Sequence, residues 1–215
     1  MYVLIARLFG IALLALSTLP LAAQRVAAAE IIVAGGCFWC VEADFEKVRG
    51  VTKAVSGYTG GTTDDPTYNQ VTGGNTGHYE AVEITYDEDR VTARQLYDLF
   101  FRSIDPTDAG GQFCDRGDSY RTAIFYTGPE QKAAAEAAKA DAQSELGQDI
   151  VTPILSASTF FRAEDYHQDY YKGTNRVVTR FGIVRQKDAY DRYREACQRD
   201  QRVRELWGKG APFIN

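Results

Sequence analysis

An α+β fold, a two-layer ferredoxin-like plait with a coiled, partly helical C-terminal tail, is predicted by three features of the sequence. Strand-like and helix-like periodicities alternate in the order β-α-β-β-α-β between Ile31 and Tyr126, the order of a split β-α-β unit. No internal repeat or low-complexity linker divides the chain. Beyond Ala163 the sequence turns polar and aromatic, as expected of a segment laid over a sheet rather than of a second core.

The elements follow in order. Ile31 to Ala34 is a short apolar run that reads as a buried strand, and Gly35-Gly36 is a tight turn. Val41, Phe45 and Val48 share one face of a helix from Cys37 to Val48, and Val51 to Gly57 is a second strand. Tyr58 to Gly77, 20 residues rich in Gly, Thr, Asp and Asn, reads as a loop whose length favours a functional role. From Tyr79 to Tyr86 the alternation is clean: Glu80, Val82, Ile84 and Tyr86 share one face. Thr92 caps a helix through Phe101, and the loop Asp105–Asp118 leads into a strand from Ser119 to Tyr126. Pro129 opens an Ala-rich helix to Leu146. Ile150 to Leu155 reads as an edge strand because Pro153 removes a ladder donor. Short helices are expected near Asp165–Tyr171 and Ala189–Trp207.

Residues 1–29 read as a secretory signal peptide. Arg7 gives a positive start, Leu8 to Leu16 an apolar stretch, Pro20 a break, and Ala27-Ala28-Ala29 the small residues a signal peptidase needs. Residues 30–215 then form a single domain, expected to be exported, either periplasmic or secreted, to be a monomer and to keep no stable membrane association after cleavage. Loss of Arg7 and Arg25 takes the net charge from −5 to −7, and no basic run remains, which argues against nucleic-acid binding. A domain of this size needs no disulfide staples, so the four cysteines are as open to redox chemistry as to structural pairing. Methionine occurs only at position 1, which suits a protein working among oxidants.

The chemistry concentrates in Gly35-Gly36-Cys37-Phe38-Trp39-Cys40. A cysteine at a helix start, after two glycines that admit another molecule, is a recipe for a nucleophile, with helix N–H groups favouring the thiolate. Cys40 lies on the same helical face, close enough for a Cys-x-x-Cys pair. Glu80 sits at the end of an apolar strand face, where burial would raise its pKa and make it an acid near neutrality. Tyr120, in phase with Ile124 and Tyr126, and Tyr68 in the long loop read most simply as inward phenols, and Asp115 as a turn residue. His78 and His167 have no metal-ligand spacing to the cysteines, so no metal site is expected. A thiol–disulfide oxidoreductase of the exported compartment shares Cys37 and Cys40 but has no use for Glu80, Tyr68 and Tyr120. A non-enzymatic binding protein held by two disulfides would leave no free thiol.

Seven segments, in order and spacing, resemble the peptide methionine sulfoxide reductase A family: Gly35–Cys40, Gly57–Gly60, Pro66–Tyr68, Gly77–Val82, Asp105-Pro106, Asp115–Arg121 and Ala163–Gln168. The similarity runs from Ile31 to Trp207. It implies that Cys37 attacks the sulfur of the S epimer of methionine sulfoxide, free or in proteins, while Phe38 and Trp39 receive the substrate methyl group. It implies further that Glu80 protonates the sulfoxide oxygen and that Tyr68, Asp115 and Tyr120 help to hold it. Cys37 becomes a sulfenic acid, a second cysteine condenses with it to a disulfide, and an external dithiol such as thioredoxin or a thioredoxin-like protein completes the cycle, with no bound cofactor. Relatives often have Gly where Cys40 stands, and the resemblance leaves Cys197, Cys40 and Cys114 as resolving candidates, Cys197 ahead because relatives keep recycling cysteines in the tail.

Overall fold

The computed structural model describes residues 28–214, so almost all of the expected signal segment lies outside the described residues. Strand β1 (Ala29–Gly35) is followed by helix α1 (Phe38–Phe45), β2 (Val51–Thr59), a short α2 (Tyr68–Thr72), β3 (Tyr79–Tyr86) and α3 (Ala93–Arg102). Two-residue strands β4 (Gly111-Gln112) and β5 (Asp115-Arg116) form a small hairpin before β6 (Thr122–Tyr126) and α4 (Pro129–Leu146). Then come β7 (Ile154–Ser156), β8 (Phe161-Arg162), β9 (Arg176–Thr179), β10 (Gly182–Arg185), α5 (Gln186–Ala196) and α6 (Arg199–Trp207). The result is a mixed α/β fold.

Six strands form one sheet in the order β7-β6-β1-β3-β2-β8. β1 runs antiparallel to β3 and β6, β2 antiparallel to β3 and β8, and β7 parallel to β6. The alternation read in the sequence sorts side chains between two cores. Ile31, Val33, Val82, Ile84 and Tyr86 join Val41 and Phe45 of α1 and Leu96, Phe100 and Phe101 of α3 in the larger one. Ile32, Ala34, Tyr79, Ala81, Ala123 and Phe125 form the smaller on the other face, under Leu155, Ala157 and Phe160. Local chemistry sets the helix ends. Thr92 and Gln95 form a capping box at α3, Pro129 occupies the first turn of α4, and Gly147 closes it in the left-handed conformation.

Several boundaries depart from the sequence reading. The strand expected from Ser119 starts at Thr122, because Asp118–Tyr120 is a 3₁₀ turn; Tyr120 therefore owes its position to that turn and not to strand alternation. The strand expected from Ile150 begins at Ile154, after Pro153, and it does lie at the sheet edge. Just before the tail, β8 adds an edge strand to the main sheet, and within the tail β9–β10 is a separate hairpin. The tail's long helix breaks at Cys197-Gln198, where Gln198 takes φ 56°, and the 165–171 region is two 3₁₀ turns on either side of left-handed Asp169.

The tail is locked to α1 by buried charge. Asp44 accepts a hydrogen bond from Arg194 at 3.0 Å and lies 3.9 Å from Arg199. Arg194 also reaches Asp200 and the Tyr190 hydroxyl, and Arg199 donates to the carbonyls of Gly35 and Ser103. Removing one partner of such a network leaves a buried charge uncompensated, which costs far more than the pair contributes. Asp44→Ala is expected to lower unfolding stability by about 3–5 kcal/mol, read by denaturant titration at neutral pH.

Candidate functional site

A cavity of about 350 Å³ opens where the start of α1, the start of β3, the β4–β5 hairpin and the tail converge. Cys37, Phe38, Trp39, Cys40, Tyr68, Glu80, Asp115, Tyr120 and Cys197 all line it. Residues scattered over 160 positions of sequence are thus gathered around one sulfur. Of the residues singled out by sequence, Cys114 alone is outside the lining: it is exposed, and its sulfur is bonded to Cys197.

The backbone explains why Cys37 stands where it does. Gly36 has φ +82°, and a Cβ there would fall 2.5 Å from the Gln112 side chain, so the turn that delivers Cys37 to the helix start needs glycine. Gln112 is itself fixed by hydrogen bonds to the backbone of Asp105 and Gly111. Cys37 is the N-cap residue of α1 and partly exposed, whereas Cys40 is buried one turn on.

Glu80 is 1% exposed and accepts the Phe38 N–H at 3.0 Å. Burial pushes its carboxyl up to about 8, and the charges of Asp115 and Cys40 add to the rise, while the bonds from Phe38 and the Tyr120 hydroxyl oppose it. Glu80 is therefore largely a neutral acid at pH 7. Tyr68 and Tyr120 are hydrogen-bonded to each other, and burial raises both phenols well above their ordinary value. Asp115 is raised by burial, with Arg199 and Arg180 pulling it back.

The two thiols divide the charge differently from the sequence expectation. Cys37 is pushed well above its ordinary range by its hydrogen bond with Cys40, then by desolvation and by the negative charge of Cys40, Glu80 and Asp115. Cys40 is lowered to about 7, because it receives that hydrogen bond and lies near Arg199 and Arg194. The Phe38 N–H, which would have favoured a Cys37 thiolate, is taken by Glu80. Of the two thiols, Cys37 is the one held protonated and Cys40 the one brought down towards neutrality.

Behind Phe38 and Trp39 stands an aromatic wall that sequence reading left without a role. Trp39 stacks on Tyr170 with centroids 3.7 Å apart and donates its indole N–H to Nδ1 of His167 at 3.1 Å. His167 is buried against Phe38 and Tyr68, and desolvation lowers it to about 4, so it is neutral and its remaining proton sits on Nε2. Glu164 accepts from the Tyr58 hydroxyl and the Tyr68 N–H, both at 2.9 Å, which anchors the loop carrying Tyr68. Glu164 and His167 fall inside the segment 163–168 quoted above for its resemblance, and that was their only signal. Arg194 and Arg199 had none, since an isolated arginine in a polar tail carries no mark of burial.

Two clusters have metal-like spacing among the described residues. One is Cys114, Asp115 and Cys197, whose sulfurs are already bonded to each other; the other is Glu42, Glu46 and Asp169. In the second, Glu42 accepts from Ser56 and from the Asp169 backbone, and Glu46 pairs with Lys172.

The peptide methionine sulfoxide reductase family model matches residues 29–205. Peptide methionine sulfoxide reductase MsrA 2 of Caulobacter vibrioides is 46% identical over 204 residues, covering 94% of this chain and 96% of that protein. MsrA of Bacillus subtilis is 48% identical over 177 residues, covering 81% and 93%. Among solved structures, methionine sulfoxide reductase A of Corynebacterium diphtheriae superposes with a TM-score of 0.65 at 32% identity, covering 69% of this chain and 76% of that one. Mxr1 of Saccharomyces cerevisiae in its reduced form gives 0.65 at 31% identity, covering 73% and 92%.

Glu80 holds its proton up to about pH 8 when folded, against an ordinary value of 4.5. The folded state therefore binds a proton that the unfolded chain has lost, and this contribution fades as pH rises from 4.5 to 8. Wild type is expected to lose more stability than Glu80→Gln between pH 5 and pH 9, as parallel urea titrations would register.

Proposed function

Because the chain belongs to the peptide methionine sulfoxide reductase family, we propose that its cavity reduces the S epimer of methionine sulfoxide, free or within polypeptides. The observation that carries this reading is a buried carboxyl, Glu80, which burial holds above its ordinary pKa, in the same cavity as the Cys37 sulfur. Thiol–disulfide exchange needs no such acid.

The chemistry follows from the resting charges. The substrate methyl group lies against Phe38 and Trp39, with the sulfoxide oxygen toward Glu80, Tyr68, Asp115 and Tyr120. As Cys37 attacks the substrate sulfur it passes its proton to Cys40, the more acidic neighbour. Negative charge develops on the oxygen, and Glu80 supplies the proton that meets it. The protonated oxygen then transfers from the substrate sulfur to the Cys37 sulfur as the bond between the two sulfurs breaks, so methionine leaves, Cys37 is a sulfenic acid and Glu80 is left ionised.

Cys40 is the candidate best placed to resolve that sulfenic acid. Its thiol is free and hydrogen-bonded to Cys37, while Cys197 is already joined to Cys114. Attack by the Cys40 sulfur forms the Cys37–Cys40 bond; the hydroxyl of the sulfenic acid takes the Cys40 proton and leaves as water. That arrangement supports Cys40 over Cys197, which the resemblance had put first. An external dithiol of the thioredoxin class reduces the Cys114–Cys197 disulfide, and the two thiols so formed exchange with the Cys37–Cys40 bond, returning Cys37 and Cys40 to thiols and re-forming Cys114–Cys197, so no bound cofactor enters the cycle.

The order of β6-β1-β3-β2 together with α1 and α3 supports a ferredoxin-like plait as the ancestral unit, with β7 and β8 added at its edges. Residues 1–29 act as the signal for export to a periplasmic or secreted location, after which the protein works as a soluble monomer. Cleavage after Ala29 would trim one residue from β1, where Ala29 pairs with Tyr86. No helix among the described residues is long and apolar enough to cross a membrane.

A turnover assay on both epimers of a methionine sulfoxide peptide with a dithiol reductant tests the reading. Activity confined to the S epimer is expected, lost in Cys37→Ser and lowered about 10²–10⁴-fold in Glu80→Gln. Reduction of small disulfides with no turnover of either epimer would instead identify a thiol–disulfide oxidoreductase. Alkylation and peptide mapping after a single turnover are expected to recover a Cys37–Cys40 disulfide; a Cys37–Cys197 disulfide would return Cys197 to the resolving role.

A further inference from the structure

The β9–β10 hairpin has no part in the chemistry above, yet it borders the cavity: Val178 and Thr179 belong to its lining. The hairpin register pairs Val177 with Val184 and Val178 with Ile183. Strand alternation sends these two pairs to opposite faces. Val177 and Val184 pack inward, with Tyr170, Ala189 and Tyr190. Val178 and Ile183 face solvent, 84% and 61% exposed, two aliphatic side chains directly opposed on a face that ordinarily carries polar residues. Val178 lines the mouth of the cavity, and Ile183 stands beside it across the hairpin.

The charge around them is also one-sided. Residues 174–187 carry Arg176, Arg180, Arg185 and Lys187 and no acid, in a chain of net charge −5. Arg185 pairs with Asp188, while Arg180 lies over the rings of Phe181 and Tyr193. Neither Arg176 nor Arg180 has an ion pair among the described residues. Arg180 is close enough to the cavity to favour the ionised form of Asp115.

We propose that the solvent face of the β9–β10 hairpin is the docking surface for the polypeptide around an oxidised methionine, with Val178 and Ile183 receiving an apolar neighbour and Arg176 and Arg180 an acidic one. The inference rests on the reductase reading and adds sequence preference to it. The occupant is an extended segment, because the oxidised side chain must enter the cavity while its neighbours lie across its rim. Extended chains offer alternate side chains to one surface, so one residue reaches the pad as the sulfoxide goes down. A free amino acid has no neighbours to place there and gains nothing from the pad.

The test uses the full chain and three probes: N-acetylmethionine sulfoxide, a short peptide with valine and glutamate two residues to either side of the oxidised methionine, and the same peptide with glycine and lysine at those positions. Wild type is expected to turn over the apolar acidic peptide with kcat/KM about tenfold above its glycine–lysine counterpart, the worth of burying one aliphatic side chain. Ile183→Asp is expected to abolish that preference and leave N-acetylmethionine sulfoxide unchanged. Ile183→Thr, which keeps a β-branched residue in the strand, should lose it in part. Equal wild-type rates on the two peptides, or an equal fall on all three probes in both variants, would overturn the proposal. A wild type inactive on every probe would remove the reductase reading and the pad with it.

Discussion

The hydrogen bond from the Phe38 backbone N–H to the Glu80 carboxylate is the constraint from which the site is built. It joins the first turn of α1 to the start of β3, through residues 42 apart in sequence, at the point where the cavity opens. A helix start offers N–H groups that attract an anion. Here the amide is given to a carboxyl rather than to the neighbouring sulfur. One bond thereby fixes the acid against the nucleophile and leaves Cys37 without the stabilisation that would have ionised it. The bond lowers the Glu80 pKa, yet burial outweighs it and the group stays protonated near neutrality.

Charge in the rest of the site is arranged around that choice. The carboxyls Glu80 and Asp115 lie on the Cys37 side, and the guanidiniums of Arg194 and Arg199 on the Cys40 side. The field across the two sulfurs therefore runs from acid to base, and the shared proton rests on Cys37. Both arginines come from the tail, and Asp44 of α1 holds them in place. The tail thus bears on thiol chemistry as well as on packing. Its other link, from Cys197 to Cys114, ties the α5–α6 break to the hairpin that presents Asp115.

The aromatic wall gives the same site its shape. Trp39 is held between Tyr170 and the neutral ring of His167, and Phe38 packs on the other side of that ring. A protonated His167 would need a partner that its surroundings supply only weakly, with Glu164 4.0 Å away. Neutrality follows from burial, and it keeps the methyl-receiving wall apolar.

The sequence alone determined the parts governed by short-range periodicity and local chemistry. The alternation of Glu80, Val82, Ile84 and Tyr86 placed Glu80 at the end of an apolar face, and Gly35-Gly36 before Cys37 marked a turn into a helix. The Thr92 cap and Pro129 marked the starts of α3 and α4. Family motifs, not periodicity, gave Tyr68, Asp115 and Tyr120 a role in the site, since Tyr68 opens the short α2, Asp115 lies in the β4–β5 hairpin and Tyr120 sits on a 3₁₀ turn. Tertiary structure decided which sulfur carries the charge, which cysteines are bonded, and that Arg194, Arg199, Glu164 and His167 surround the site. Those outcomes depend on burial and on charges brought together across the fold. Electrostatic interaction depends on distance in space and on exclusion of water, neither of which is encoded in the spacing of residues along a chain.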